Sequence, residues 1–167
     1  MGLRFCYCVI KGVIYVFTYD DMLVEAERNN LITKEKPLKA NKGLIDGKNI
    51  AIKSDMTEKE KKCIMAEELG HYYTASGNIL DQSTVSNRKQ ELRGRIYAYN
   101  RLVGLMGIID AYKNHCLNLA ESAEHLDVTE EFLMDAISYY KSKYGKYVSV
   151  DNYIIFFEPS ISVLELM

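Results

Sequence analysis

Residues 57–74 read TEKEKKCIMAEELGHYYT, and this stretch decides how the rest of the chain is interpreted. A threonine and a glutamate at capping-box spacing open it, and a helical pattern without proline follows. At about 100° per residue, Glu67, Glu68 and His71 share one arc of this helix, beside an apolar stripe. Two carboxylates and an imidazole next to a core are unfavourable to bury unless they are paired, hydrogen-bonded or bound to a metal. The stretch therefore predicts a helix that carries chemistry.

Composition narrows the class of protein. The chain has 167 residues, which is enough for one core domain or for one domain with a small appendage. Its 21 basic and 23 acidic residues nearly balance, so no overall field attracts it to nucleic acid or to an anionic membrane. The four cysteines form no CxxC pair, which favours reduced thiols and predicts a cytoplasmic location.

Residues 1–18 are apolar and rich in β-branched side chains. Arg4 and Lys11 interrupt a run that is already shorter than the roughly 20 residues of a membrane helix, so no membrane association is expected. No small-residue cleavage site precedes Tyr19, which argues against a secretory signal. Two interpretations stay open: a pair of strands that turns near Lys11-Gly12, or an extension ahead of the true start.

Short elements are predicted before the central helix. Residues 20–30 have helical periodicity, and residues 31–35 have the pattern of a short strand. Two apolar runs flank Asp46-Gly47, which is the strongest short signal for a β-hairpin. We expect the second hairpin strand, residues 49–53, to lie beside the helix of residues 57–74, where its edge could accept an extended peptide.

A second helix is predicted over residues 87–103. Its apolar side chains recur at helical spacing and are Leu92, Ile96, Tyr99 and Val103. Glu91 lies on another face with Gly94 and Ala98, whose small size permits the close approach of a neighbouring helix. The arginines of this helix are interpreted as a solvated face, although one of them could pair with Glu91 or Glu67.

The C-terminal third contains patterns for three helices and a β-hairpin, over residues 108–116, 118–126, 129–144 and 147–157. The second and third of these helices resemble a helix–turn–helix. Glu130, Glu131 and Asp135 lie near the start of the last helix, where they would repel a phosphate backbone. Direct DNA binding is therefore not expected, and a packing or protein-recognition role is favoured.

The residues from Glu67 to His71 have the spacing of a metallopeptidase motif. A zinc-peptidase helix needs two metal ligands at i and i+4, which share a face, and a general base at i+1. The usual form of this motif is HExxH, whereas this chain has EExxH.

On these residues the chain resembles the ImmA/IrrE-type metallopeptidases of phages and integrative elements. The stretch from Ala66 to Tyr72 matches the family motif, and Glu91 opens an ExxAxxxA-like pattern in which Gly94 replaces the first alanine. The likeness extends over about residues 19–160. It implies an α+β protein with a zincin-like metallopeptidase domain over residues 19–104 and a helix–turn–helix-like module with a C-terminal β-hairpin over residues 105–167. Residues 1–18 lie outside the likeness and are assigned as an N-terminal extension.

The resemblance also implies roles for the motif residues. Glu68 matches the general base, His71 matches a metal ligand and Glu91 matches the last metal ligand, while Glu67 stands in place of the first histidine. Zinc is the implied cofactor, although a second carboxylate among the ligands shifts the preference toward Mn²⁺ or Fe²⁺. One of the two tyrosines that follow His71 could donate a hydrogen bond to the oxyanion.

The resemblance implies two possible functions, which are expectations at this point. The first is a metal-dependent endopeptidase of a phage or mobile element that cleaves a cognate helix–turn–helix repressor and so acts as an anti-repressor. In this reaction Glu68 takes a proton from water and passes it to the leaving amine. The alternative is a catalytically weakened or inactive regulatory protein that binds the repressor without cleaving it.

Overall fold

The described residues of this computed structural model are 9–10, 13–14, 16–75 and 84–166, and they divide into two compact units. The first unit spans Phe17–Ala98, and the second contains Val16, two short strands before it and the residues from Tyr99 onward. The division falls six residues before the predicted domain boundary at residue 104. The three-part domain division itself stays a prediction.

The chain enters the described part through two short strands, β1 (Val9–Ile10) and β2 (Val13–Ile14). They pair antiparallel with Ile10 opposite Val13, as the prediction of a strand pair near Lys11-Gly12 requires. The turn itself and residues 1–8 lie outside the described residues. The other open interpretation, an extension ahead of the true start, stays untested.

The first unit begins with helix α1 (Tyr19–Arg28). Thr18 caps it by accepting a hydrogen bond from the backbone N–H of Asp21, whose carboxylate accepts one from the backbone N–H of Thr18. Met22 and Ala26 lie one turn apart and are buried, so the helix presents a single apolar face to the core.

The first sheet contains β3 (Ile32–Lys36), β4 (Gly43–Asp46) and β5 (Asn49–Lys53) in the order β3-β5-β4. Strands β4 and β5 form the predicted hairpin, and Gly47 adopts φ 58° in its turn, a conformation that glycine reaches without strain. Strand β3 pairs with β5 in parallel.

The prediction that residues 49–53 form an edge strand is wrong. Strand β5 lies in the centre of the sheet because its alternate residues Ile50 and Ile52 are buried and its backbone is paired on both sides. Among the described strands, β4 is therefore the edge that is left on the hairpin side.

Two long helices follow, α2 (Glu58–Ala75) and α3 (Thr84–Leu102). The predicted capping box is present, since Glu60 donates its backbone N–H to the Thr57 hydroxyl and accepts from the Thr57 backbone N–H at 2.8 Å. Helix α2 packs against α1, β4 and β5. It also approaches α3 so closely that a Cβ atom on Gly70 would collide with the backbone carbonyl oxygen of Gly94.

The second unit contains helices α4 (Gly104–Lys113), α5 (Leu119–His125) and α6 (Glu130–Tyr144). Its antiparallel sheet has the order β6-β7-β8, with bounds Tyr147–Val150, Tyr153–Phe156 and Ser162–Glu165. The helices and the β6–β7 hairpin were predicted, whereas β8 was not. No helix in the described ranges is both long and apolar enough to span a membrane. Helices and sheets are present together in each unit, so the predicted α+β class is confirmed.

Candidate active site

A cleft of about 530 Å³ opens in the first unit between α2, α3 and the segment that leads into β4. Helix α2 contributes Glu67, Glu68 and His71 to its walls, and α3 contributes Glu91 and Arg95. The third wall consists of residues 40–45. The structure therefore brings the four sequence-predicted site residues to one cleft.

His71 lies at the centre of the α2–α3 contact, with 10% of its side chain exposed. Its Nε2 atom is 3.7 Å from Oε2 of Glu91 on the neighbouring helix. The imidazole fits there because residue 94 is glycine: a Cβ atom at that position would lie 2.5 Å from Cε1 and 2.6 Å from Nδ1 of the ring. Gly94, which departs from the family's alanine, is thus the residue that makes room for the ring.

Burial lowers the pKa of His71, the nearby Glu91 carboxylate opposes this effect, and the positive charge of Arg95 adds to it. The net lowering favours the neutral imidazole near pH 7. A neutral imidazole is the form that binds a metal ion.

Glu68 is buried on the same wall, with 8% of the residue exposed. Burial is the main reason that the pKa of Glu68 is raised to about 7, and the negative charges of Glu67 and Glu91 add to the effect. Gly43 of β4 covers this carboxylate, since a Cβ atom on Gly43 would lie 2.5 Å from Oε1 of Glu68. A carboxylate with a pKa near the working pH can both accept and return a proton.

The donor chemistry of the cleft fits a divalent cation, but the ligand set is only partly assembled. Two ligands bonded at about 2.0–2.1 Å to one tetrahedral ion lie about 3.4 Å apart, close to the observed His71–Glu91 separation. Glu67 lines the same cleft and is half-buried. Among the described residues, however, no three His, Cys, Asp or Glu side chains are close enough together to hold one ion. The assignment of Glu67, His71 and Glu91 as ligands stays a prediction.

The two tyrosines that follow His71 do not line the cleft. The Tyr73 hydroxyl donates to a Glu25 carboxylate oxygen at 2.8 Å and accepts from the Asn29 side-chain amide at 2.9 Å, which ties α2 to α1. The hydroxyl of Tyr73 therefore serves packing between helices. The expectation that one of these tyrosines donates a hydrogen bond in the cleft is therefore not supported.

Sequence reasoning did not single out most of the cleft's lining, and two of the residues it missed lie close to the predicted ones. Arg95 was interpreted as part of a solvated face, but it lines the cleft with Glu91 and His71. Its position four residues after Glu91 could have indicated this, because residues at i and i+4 share a helix face. Gly43 carried no signal of this kind, since its contact with Glu68 depends on how the hairpin lies on α2.

Comparison with known families identifies the group of proteins to which the chain is related. The sequence model of the peptidase M78 family, described as the IrrE N-terminal-like domain, matches residues 24–137. No curated protein sequence matches the chain. The family match spans α2, the cleft and α3, and it covers more than half of the chain. The chain therefore belongs to the ImmA/IrrE family of metallopeptidase-like proteins, with the α+β, zincin-like fold that the sequence predicted.

Proposed function

We propose that the chain is a metal-dependent endopeptidase whose reaction takes place in the cleft between α2 and α3. One arrangement carries the proposal: the buried carboxyl of Glu68, with a pKa of about 7, lies on the same cleft as the His71–Glu91 pair. A proton acceptor and a ligand pair on one cleft are what metal-assisted hydrolysis needs. Membership of a peptidase family supports the reaction class.

His71, Glu91 and Glu67 are the residues that would hold the ion. A bound divalent cation supplies a Lewis acid for the peptide carbonyl and makes its water more acidic. Zinc is the first candidate because of the family. The two carboxylates in the set also suit Mn²⁺ or Fe²⁺.

The protein's own groups then move the proton. Ionised Glu68 accepts a proton from the attacking water, and in its protonated form it donates that proton to the nitrogen of the leaving amine. The raised pKa of Glu68 makes both steps accessible near pH 7. Because residue 43 is glycine, the carboxyl of Glu68 has room to lie beside β4.

The peptide would bind along β4. This strand is paired with β5 on one side and lines the cleft through Gly43, Leu44 and Ile45. An extended peptide can add to such an edge through main-chain hydrogen bonds, which orients its backbone across the cleft. This role for β4 replaces the expectation for residues 49–53.

The proposed substrate is a cognate helix–turn–helix repressor of a phage or mobile element in the cytoplasm, and its cleavage would give the chain an anti-repressor role. The resemblance in sequence is the support for this target. A protein target also suits the second unit, where the exposed carboxylates of Glu130, Glu131 and Asp135 at the start of α6 disfavour direct DNA binding.

The test is incubation of the repressor with wild type and with Glu68→Gln. We expect the wild type to cleave it and the variant to be slower by about 10²- to 10⁴-fold, since it lacks the proton acceptor. Equal cleavage by both proteins would remove Glu68 from the mechanism.

A second candidate is a regulatory protein that binds the repressor without cleaving it. The observation that favours it is Glu67, a carboxylate in place of the family's first histidine, which is not gathered with His71 and Glu91 into a three-ligand group in the described part of the chain. Under this alternative, the wild type and Glu68→Gln would bind the repressor equally and leave it intact with Zn²⁺, Mn²⁺ or Fe²⁺ present.

A further inference from the structure

Arg95 is the arginine of α3 that lines the cleft. It lies one helical turn after Glu91, and its charge is close enough to His71 to act on the imidazole. Arg95 thus lines the proposed reaction site together with Glu67, Glu68 and His71.

Among the side chains that the structure describes, no acid forms an ion pair with the guanidinium of Arg95. A Glu–Arg pair at i and i+4 on a helix commonly forms an ion pair, yet the carboxylate of Glu91 lies against His71 instead. The described side chains, which leave out those of residues 75–87, include none that forms a hydrogen bond or ion pair with Arg95. The side chain is exposed, so it is accessible to a ligand in the cleft.

The chemistry of the guanidinium selects the ligand. Its planar donors match a carboxylate in a two-bond geometry, and hydrogen bonds between charged groups are stronger than neutral ones. In an unmodified peptide, carboxylates occur on Asp and Glu side chains and at the C-terminus. Glu67, Glu68 and Glu91 on the same cleft make a singly charged group a better match than a doubly charged one.

We propose that Arg95 determines specificity by binding a carboxylate of the substrate, either an acidic side chain close to the cleaved internal bond or the C-terminal carboxylate of a substrate that is cleaved a few residues before its end. The proposal rests on the proposed function, because it refers to a bond that the protein cleaves. Binding of a carboxylate to Arg95 can nevertheless be measured without turnover.

The experiment compares wild type, Arg95→Ala and Arg95→Lys, with Arg93→Ala as the matched control. Arg93 is an exposed arginine on the same helix that does not line the cleft. Each metal-loaded protein digests a peptide library derived from a proteome, and the cleaved positions are identified by mass spectrometry. Paired peptides with Glu or Gln, and with a C-terminal acid or amide, then separate the two sources of the carboxylate.

We expect wild type and Arg93→Ala to prefer a carboxylate at one fixed position. Arg95→Ala should lose this preference, with kcat/KM for the acidic peptide falling by about 10- to 100-fold and little change for the amide peptide. Arg95→Lys should keep part of the preference, since lysine retains the positive charge but lacks the planar set of N–H donors of a guanidinium. Cleavage by wild type with no acidic preference, or with the same preference in Arg95→Ala, would overturn the role of Arg95 and leave the proposed function standing.

Binding supplies a separate readout. Glu68→Gln and the double variant Glu68→Gln/Arg95→Ala are titrated with the same fluorescently labelled peptide pairs. If Glu68→Gln binds the acid more tightly than the amide and the double variant does not, the carboxylate site is supported. This holds even if the wild type cleaves no peptide, because absence of cleavage would count against the proposed function alone. Equal affinities for acid and amide in Glu68→Gln would overturn the site.

Discussion

At the residue scale, the unusual group is Glu68, a carboxylate that is buried beside two other carboxylates. Burial and like charge both disfavour its ionised form. Without a cation in the cleft, the folded chain therefore holds a proton at Glu68 that an unfolded chain would release. This gives the site a pH signature that can be measured in the absence of turnover.

The signature predicts how Glu68→Gln changes stability with pH. The pKa of Glu68 rises from 4.5 to about 7 on folding, so the wild type loses stability as the pH increases between those values and levels off above them. Near pH 4.5 the variant and the wild type should differ little. At pH 8 the variant should be more stable by up to about 3 kcal/mol, the free energy of a shift of that size.

Chemical denaturation at the two pH values, with a chelator present, measures this difference. Glu27→Gln, which alters an exposed glutamate of α1, is the control and should change the free energy of unfolding by less than about 0.5 kcal/mol at either pH. The same difference between Glu68→Gln and wild type at both pH values would show that Glu68 is not a protonated buried group.

Glu67 carries a second prediction at this scale, about which metal binds. Replacement of Glu67 by histidine would give two imidazoles and one carboxylate, the softer set that suits zinc. We expect Glu67→His to raise the affinity for Zn²⁺ relative to Mn²⁺ by at least about tenfold. Competition titrations with a chromogenic chelator measure both ions, and an unchanged Zn²⁺/Mn²⁺ ratio would exclude Glu67 from the ligand set.

At the element scale, the crossing of α2 and α3 positions the site. Gly70 faces the backbone of Gly94, and Gly94 faces the ring of His71. The crossing brings the ligand pair together because neither glycine has a side chain that would hold the helices apart. The two glycines nevertheless have different neighbours, which allows their roles to be separated.

Alanine at each glycine should therefore have a different effect. Gly70→Ala places a methyl group on a backbone carbonyl that cannot turn aside, so we expect a loss of about 1–3 kcal/mol in the free energy of unfolding. Gly94→Ala meets an imidazole that can rotate, and the family pattern has alanine there. We expect a smaller loss of stability but weaker metal binding. Thermal denaturation and metal titration of both variants test this, and a greater destabilisation by Gly94→Ala would contradict it.

Much of the element structure could be predicted because it depends on local signals. The capping box of α2 and the Asp46-Gly47 turn each depend on only a few neighbouring residues. The sequence did not predict which strands pair with each other in the sheets. The bend around Pro159 before β8 does not show that the chain returns to pair with β7, and hairpin periodicity cannot tell which strand will pair with β3.

The buried face of α3 shows the same limit. In the predicted apolar stripe, Tyr99 and Val103 are buried as expected, but Leu92 is 52% exposed. Gly94 and Ala98, on the other face, are buried. Hydrophobicity favours the leucine side, but the close contact with α2 selects the face with the smallest side chains. Helical spacing was enough to predict that Glu67, Glu68 and His71 share a face of α2, and the i, i+4 spacing also places Arg95 on the face of Glu91. The sequence did not show that these faces meet at one cleft.

At the scale of the whole molecule, the family match runs from residue 24 to residue 137 and so extends beyond the unit that contains the cleft. All the candidate ligands lie within Phe17–Ala98, on α2 and α3. Metal binding should therefore stabilise the chain through this unit, by an amount that grows with the ratio of free ion to Kd.

The most direct test of the account is the metal content of protein purified without chelators and then dialysed against trace Zn²⁺, Mn²⁺ or Fe²⁺. We predict one ion per chain in the wild type and in Glu68→Gln, and loss of that ion in His71→Ala and in Glu91→Ala. A wild type that binds none of the three ions, or binding that persists in both His71→Ala and Glu91→Ala, would contradict a metal-dependent site in this cleft.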